Sequence, residues 1–158
     1  MTHEPVLREA TEADLDEMLS LWRALEQIQG EYRLFPMVDD AESRIVGLFR
    51  EAMGDADSSA LVIEGPDGLV GMAIVRLTEQ GHHSMSNARA VELSRVVVKE
   101  EARGRGLGKM LIEAATAFGK QRGATFLTAK LFTGNTEGRA FWERMGFVSR
   151  YEERIKPV

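Results

Sequence analysis

The sequence predicts an α/β fold in which one mixed sheet is flanked by helices. Three observations carry that expectation. Residues 91–98 (V-E-L-S-R-V-V-V) form a β-branched, largely apolar run of strand length. Leu107, Met110, Leu111, Ala114, Ala115 and Phe118 recur at helical spacing just after it. Gly65-Pro66-Asp67-Gly68 sits between two further strand-like runs and has the composition of a hairpin turn.

Taken in order, residues 6–10 read as a short first strand. Thr11 is a good N-cap with Asp14 three residues on. Leu15, Met18, Leu19, Trp22 and Leu25 then define an amphipathic helix that ends before Gly30. Residues 31–37 are a loop rich in large side chains. A second helix follows Asp39-Asp40, with Ile45, Leu48, Phe49, Ala52 and Met53 on its inner face. Residues 59–64 and 69–78 are the strands of the hairpin. Residues 79–89, polar and containing Gly81, His82 and His83, read as a surface loop. The helix after the 91–98 strand stops at Gly123, a residue suited to the left-handed position past a last turn. A strand over 125–131 precedes a short helix carrying Ala140, Phe141 and Met145. Gly146 ends that helix, and Phe147-Val148 opens a last strand toward Ile155.

At 158 residues the chain has the length of one domain with a real core. The composition, 44% hydrophobic and 28% charged, is that of an ordinary globular protein. A net charge of −5 argues against a nucleic-acid partner, which usually calls for a basic face. No stretch approaches the ~20 apolar residues of a membrane span, and no signal-like apolar core opens the chain. Cysteine is absent, which suits a reducing cytoplasm, the location expected here. Three histidines, two of them adjacent in a polar segment, do not make a metal site, and no metal is expected.

The segment Arg103-Gly104-Arg105-Gly106-Leu107-Gly108, followed by Lys109, breaks local rules. Glycines in a first helical turn are each unfavourable by about 1 kcal/mol relative to alanine. Arg105 and Lys109 add positive charge at a helix end that is already partly positive. Both features suit an anion held by bare backbone N–H groups with cations nearby. The spacing fits neither G-x-x-x-x-G-K-[ST], since Met110 holds the hydroxyl position, nor G-x-G-x-x-G, since Lys109 stands where the third glycine belongs.

It does fit R-x-x-G-x-G, read as Arg103, Gly106 and Gly108. Together with residues 92–108 (E-L-S-R-V-V-V-K-E-E-A-R-G-R-G-L-G), and with Asn135, Gly138, Phe141, Trp142, Gly146 and Phe147 in N-x-x-G-x-x-F-W-x-x-x-G-F, the sequence resembles the GCN5-related N-acetyltransferase (GNAT) family. Two departures are Glu100, where proline is common, and Trp142, where the family's aromatic pair ends in tyrosine. The resemblance implies a mostly antiparallel twisted sheet with helices on its flanks, the acyl-CoA N-acyltransferase fold, and one N-acetyltransferase domain over residues 1–158. It implies acetyl-CoA as cosubstrate, its pyrophosphate in the turn from Arg103 to Lys109 and its pantetheine arm at Asn135 and Trp142. The oxyanion would be held by backbone N–H groups of Val96, Val97 and Val98. Glu92 is the expected general base, through water, and Tyr151 is the candidate acid, since an indole cannot release its proton. The resemblance also places Tyr32 and Phe35 where the acceptor pocket would be covered.

The acceptor is then a primary amine of a small molecule or a peptide, and a homodimer is compatible with the family. A catalytically silent acetyl-CoA sensor or partner module stays open, because Trp142 replaces the tyrosine. Glu92 as a surface residue, Asn135 as a helix cap, and Tyr32 or Phe35 as core packing are the alternatives at those positions.

Overall fold

The computed structural model describes residues 3–158. Along the chain run β1 (Val6–Glu9), α1 (Leu15–Gln29), α2 (Ala41–Gly54), β2 (Ser58–Gly65), β3 (Gly68–His82), β4 (Met85–Val98), α3 (Leu107–Lys120), β5 (Phe126–Ala129) and α4 (Thr136–Arg144). The five strands form one sheet in the order β1-β2-β3-β4-β5. Neighbours pair antiparallel except β4 and β5, which are parallel and joined through α3. The expected mixed, mostly antiparallel α/β sheet is what forms. No helix among the described residues is long and apolar enough to cross a membrane.

Strand alternation sorts the core into two layers. Ala60, Val62, Met72, Ile74 and Val97 face α1 and α2, where they meet Met18, Leu21, Trp22 and Phe49. Leu61, Ile63, Ala73, Val75, Val91 and Leu93 face α3, against Leu107, Leu111, Ala115 and Phe118. Full burial of a side chain such as Phe49 or Leu111 stabilises by roughly 1.5–3 kcal/mol, so these two layers hold the helices to the sheet. At the start of α1, the Thr11 N–H donates to Asp14 Oδ2 at 2.7 Å. Both terminal nitrogens of Arg8 on β1 donate to the same carboxylate, at 2.7 and 2.9 Å. Asp14, the residue expected three positions after the Thr11 cap, therefore also ties the first strand to the first helix.

Two expectations fail. Residues 79–89 are not a loop, because β3 and β4 continue as a hairpin to His82 and Met85, with Glu79 opposite Arg89 and Gln80 opposite Ala88. Residues 81–87 are exposed throughout, so both faces of the arm are wet. Its polarity reflects exposure rather than irregular backbone. The last strand, expected from Phe147 toward Ile155, does not form, and β5 is left at the edge. Only Val148, Tyr151 and Ile155 among residues 148–155 are large and apolar, and Val148 remains 89% exposed. That is too little apolar surface to hold another strand. The strand expected over 125–131 is shorter, Phe126–Ala129.

Candidate active site

β4 carries a bulge. Met72 and Ile74 on β3 oppose Val97 and Ser94, so β4 spends one more residue than β3 over this interval. Arg95 sits in it with φ 48°, the one non-glycine residue of positive φ among the described residues. A left-handed conformation at such a residue is unfavourable by about 1–3 kcal/mol. The pairing of β4 with β5 ends at Leu93 and Ala129, just before the bulge. Beyond it, the Lys99 N–H donates to the Val70 carbonyl on β3 at 2.8 Å. Successive peptide groups of a strand point to opposite edges, so the N–H of Val97 also turns to β3, while those of Val96 and Val98 turn toward the gap left by β5. Of the three expected oxyanion donors, the ladder leaves two.

The Gly-rich segment caps α3 at this gap. Gly104 and Gly106 both have φ 78°, and a Cβ built on either would meet nothing within 4 Å. These glycines are required by backbone conformation, not by crowding. The first intrahelical bond runs from the Met110 N–H to the Gly106 carbonyl. The N–H groups from Gly104 to Lys109 have no acceptor among the described residues, and the first turn of α3 holds no acidic residue. Arg105 is exposed, and Lys109 reaches only Glu113 at 3.9 Å. Arg103 Nε donates to the Val98 carbonyl at 3.1 Å, which ties the turn to the end of β4. Leu107 is buried in the core, so only its main chain faces the turn. Gly108 has a different reason to be small: a Cβ there would lie 2.6 Å from Cε2 of Phe141 on α4.

On the α1 side of the sheet, Glu92 opposes Arg76 on β3 and Thr128 on β5. Its Oε1 accepts from Arg76 Nη2 at 3.1 Å, Oε2 has no partner among the described residues, and the side chain is 26% exposed. Glu92 lies four residues before Val96, roughly 13 Å along a strand, so a proton path between them needs water.

Across the gap, Asn135 caps α4, its Oδ1 accepting from the Gly138 N–H at 3.0 Å. Trp142 packs edge-on between Phe141 and Phe147, with centroids 5.0 and 4.8 Å away. Tyr32 stacks on Phe132 and donates from its hydroxyl to the Gly134 carbonyl at 3.1 Å, which joins the α1–α2 connection to the turn carrying Asn135. Phe35 is 74% exposed and Tyr151 73% exposed. Tyr151 lies outside any strand, so the neighbouring last strand on which it was expected is absent.

A family model for GNAT acetyltransferases matches residues 16–147. The chain belongs to the GNAT acetyltransferase family. Comparison with curated proteins returns no match. Among solved structures, a tetramutant of the BH1408 protein from Bacillus halodurans aligns with TM-score 0.80 and 21% identity, over 97% of this chain and 99% of that one. A predicted acetyltransferase with acetyl-CoA from Clostridium acetobutylicum aligns with TM-score 0.78 and 14% identity, over 98% and 96%. Glucosamine-6-phosphate N-acetyltransferase from Arabidopsis thaliana gives TM-score 0.61 and 18% identity, over 98% and 99%. These likenesses are likenesses of fold.

Two residues of the site that sequence pattern alone does not pick out in this GNAT chain are Arg76 and Arg95. Burial pulls the Arg95 guanidinium below its ordinary pKa, against the opposing pull of the Glu26 and Glu92 carboxylates. A signal was present: Arg95 is the one cation inside the apolar run at 91–98.

Proposed function

We propose that this chain is an acetyl-CoA-dependent N-acetyltransferase that acts on a primary amine of a small molecule or peptide. The observation that carries the reading is the row of N–H groups from Gly104 to Lys109 without acceptors, beside a β4 bulge that turns Val96 and Val98 toward the same gap. In this reading the turn from Arg103 to Lys109 takes the pyrophosphate, and the main chain alone lies close to it at Gly104 and Gly106. Asn135 and the Trp142 face border the pantetheine arm.

The cosubstrate supplies a thioester carbonyl. The amine nitrogen forms a bond to that carbon, the carbon–sulfur bond breaks with its electron pair leaving on the thiolate, and the nitrogen gives up its remaining extra proton to water to become the neutral amide. Val96 and Val98 donate to the oxygen as negative charge develops there, the kind of preorganised contact that is often the largest catalytic contribution. An aliphatic ammonium has a pKa near 10, about that of a lysine, so its proton must be removed first. Glu92 receives it through water, using the oxygen that Arg76 leaves free. A coenzyme A thiol resembles a free cysteine, with a pKa of about 8.5, so the thiolate can leave without the Tyr151 phenol.

The test is incubation with acetyl-CoA and a panel of amines, following thiol release and product mass. Amine-dependent thiol release with an acetylated product is expected. One observation favours a second reading: Trp142, in the tyrosine's place, packs between Phe141 and Phe147. A sensor would bind acetyl-CoA and release no thiol with any amine.

A further inference from the structure

The charged groups around the β4 bulge do not balance. Glu92 accepts from Arg76 at 3.1 Å, and Glu26 on α1 accepts from Arg33 at 2.6 Å. These two carboxylates are the acidic groups that act on the Arg95 guanidinium, and each already has a guanidinium of its own. Arg95 is half-buried and makes no hydrogen bond or ion pair among the described residues. Three guanidinium groups share two carboxylates, which leaves one unmatched positive charge at the edge of the gap.

The backbone sharpens the point. Arg95 holds φ 48° in the bulge, a conformation glycine would adopt without steric conflict. An arginine here is disfavoured by its backbone and by its desolvation. No hydrogen bond or ion pair among the described residues offsets either, and the pull of Glu26 and Glu92 is weaker than the effect of burial. A half-buried cation wants a hydrogen-bonded anion, and the described residues do not supply one.

We propose that Arg95 recognises an anionic oxygen group, carboxylate or phosphate, on the acceptor, so that the protein acetylates amines that are also anions rather than polyamines or aminoglycosides. This rests on the acetyltransferase reading of the site. Arg95 immediately precedes Val96, whose N–H faces the gap, so an anion on its guanidinium lies within a side chain's length of the reacting carbonyl. The planar fork of guanidinium donors matches a carboxylate or phosphate edge with two parallel bonds. Charge also agrees: an amino acid whose amine is deprotonated for attack carries a single negative charge, the complement of the unmatched cation. Polyamines would bring further positive charge to it.

The experiment titrates coenzyme A-saturated protein with L-amino acids, aminoalkyl phosphates and their neutral counterparts, the amino acid amides and plain alkylamines, followed by calorimetry. Wild type, Arg95→Gly and Arg95→Lys are compared. Arg95→Gly suits the left-handed backbone, so it removes the guanidinium without a folding penalty from the bulge. At least one anionic amine should bind wild type roughly 10- to 100-fold more tightly than its neutral counterpart, the usual strength of a charged hydrogen-bonded pair. That ratio should fall to near one in Arg95→Gly and recover in part in Arg95→Lys. Preference for amino acids or for aminoalkyl phosphates identifies the anion. Neutral amines binding wild type as well as every anionic partner would overturn the proposal. So would an Arg95→Gly variant that weakens acids and amides equally, or a panel in which no anionic amine binds. If wild type fails to bind coenzyme A at all, the acetyltransferase reading falls first and this inference with it.

Discussion

Replacing Gly106 by valine separates the proposed anion-binding role of the turn from its structural role. Gly106 caps α3 with φ 78° and ψ 15°, and a Cβ there would meet nothing within 4 Å. The expected effect of the substitution therefore runs through the backbone. An L-residue in the left-handed region is disfavoured by about 1–2 kcal/mol. For a chain of this length each kcal/mol moves Tm by roughly 2–4 °C, so the variant should melt roughly 2–8 °C lower. Relaxing toward negative φ re-aims the peptide groups that follow, including the free N–H groups of Leu107 and Gly108. In wild type, acetyl-CoA at a hundredfold excess over Kd should stabilise by about 2.7 kcal/mol, or roughly 5–11 °C in Tm. Gly106→Val should lose that increment. Gly123→Val is the control: Gly123 has φ 75° beyond the other end of α3 and brings the same backbone penalty away from the turn. It should melt lower and keep the acetyl-CoA shift. Differential scanning calorimetry with a cofactor titration measures both terms. A full acetyl-CoA shift in Gly106→Val would refute the assignment of the phosphate to this turn.

Glu92→Gln should lower kcat/KM by roughly 10²-fold near neutral pH, and the loss should shrink toward pH ~9 as more of the amine (pKa ~10) is already deprotonated; equal rates in both proteins across that range would return Glu92 to a surface role. Gly108→Ala places a methyl 2.6 Å from Phe141, and the resulting displacement should destabilise by about 1–3 kcal/mol in urea titration, with Phe141→Leu restoring part of it. Arg8 and the Thr11 N–H hold the Asp14 pKa down at about 2. The unfolded chain therefore binds the proton more readily, and this contribution to stability, about 2 kcal/mol, is complete above pH ~4 and disappears as pH falls through about 2. Asp14→Asn should remove it at neutral pH and flatten stability over that acidic window in pH-dependent melting; an unchanged acid limb would contradict the assignment.

What was legible in the sequence is what local chemistry determines. The turn at Gly65–Gly68, the Thr11–Asp14 pair and the left-handed glycine at 123 each follow from a few neighbouring residues. The apolar faces of α1, α2 and α3 were legible because helical periodicity marks them. The β3–β4 arm was not: its residues face water on both sides, so no apolar alternation announces a strand. The apolar pair Phe147-Val148 suggests a last strand, but the residues after it cannot bury a face. At the site, the donor turn was readable from its unfavourable glycines and cations. The tasks of Val97 and Gly108 were not, because one depends on which edge a peptide group faces and the other on a ring from α4. Arg95 was overlooked because a strand bulge depends on register with a partner, and register is a property of the assembled sheet.

The most direct measurement is a single-turnover transfer with acetyl-CoA labelled in the acetyl group, mixed with excess protein and the best-bound amine, then followed by mass spectrometry of product and of intact protein. The expected result is that the label passes from cofactor to the amine as an amide, with matching release of thiol and no acetylated form of the protein between them. Tight binding of acetyl-CoA with the label still on the cofactor would contradict it and leave a protein that binds the cofactor without using it.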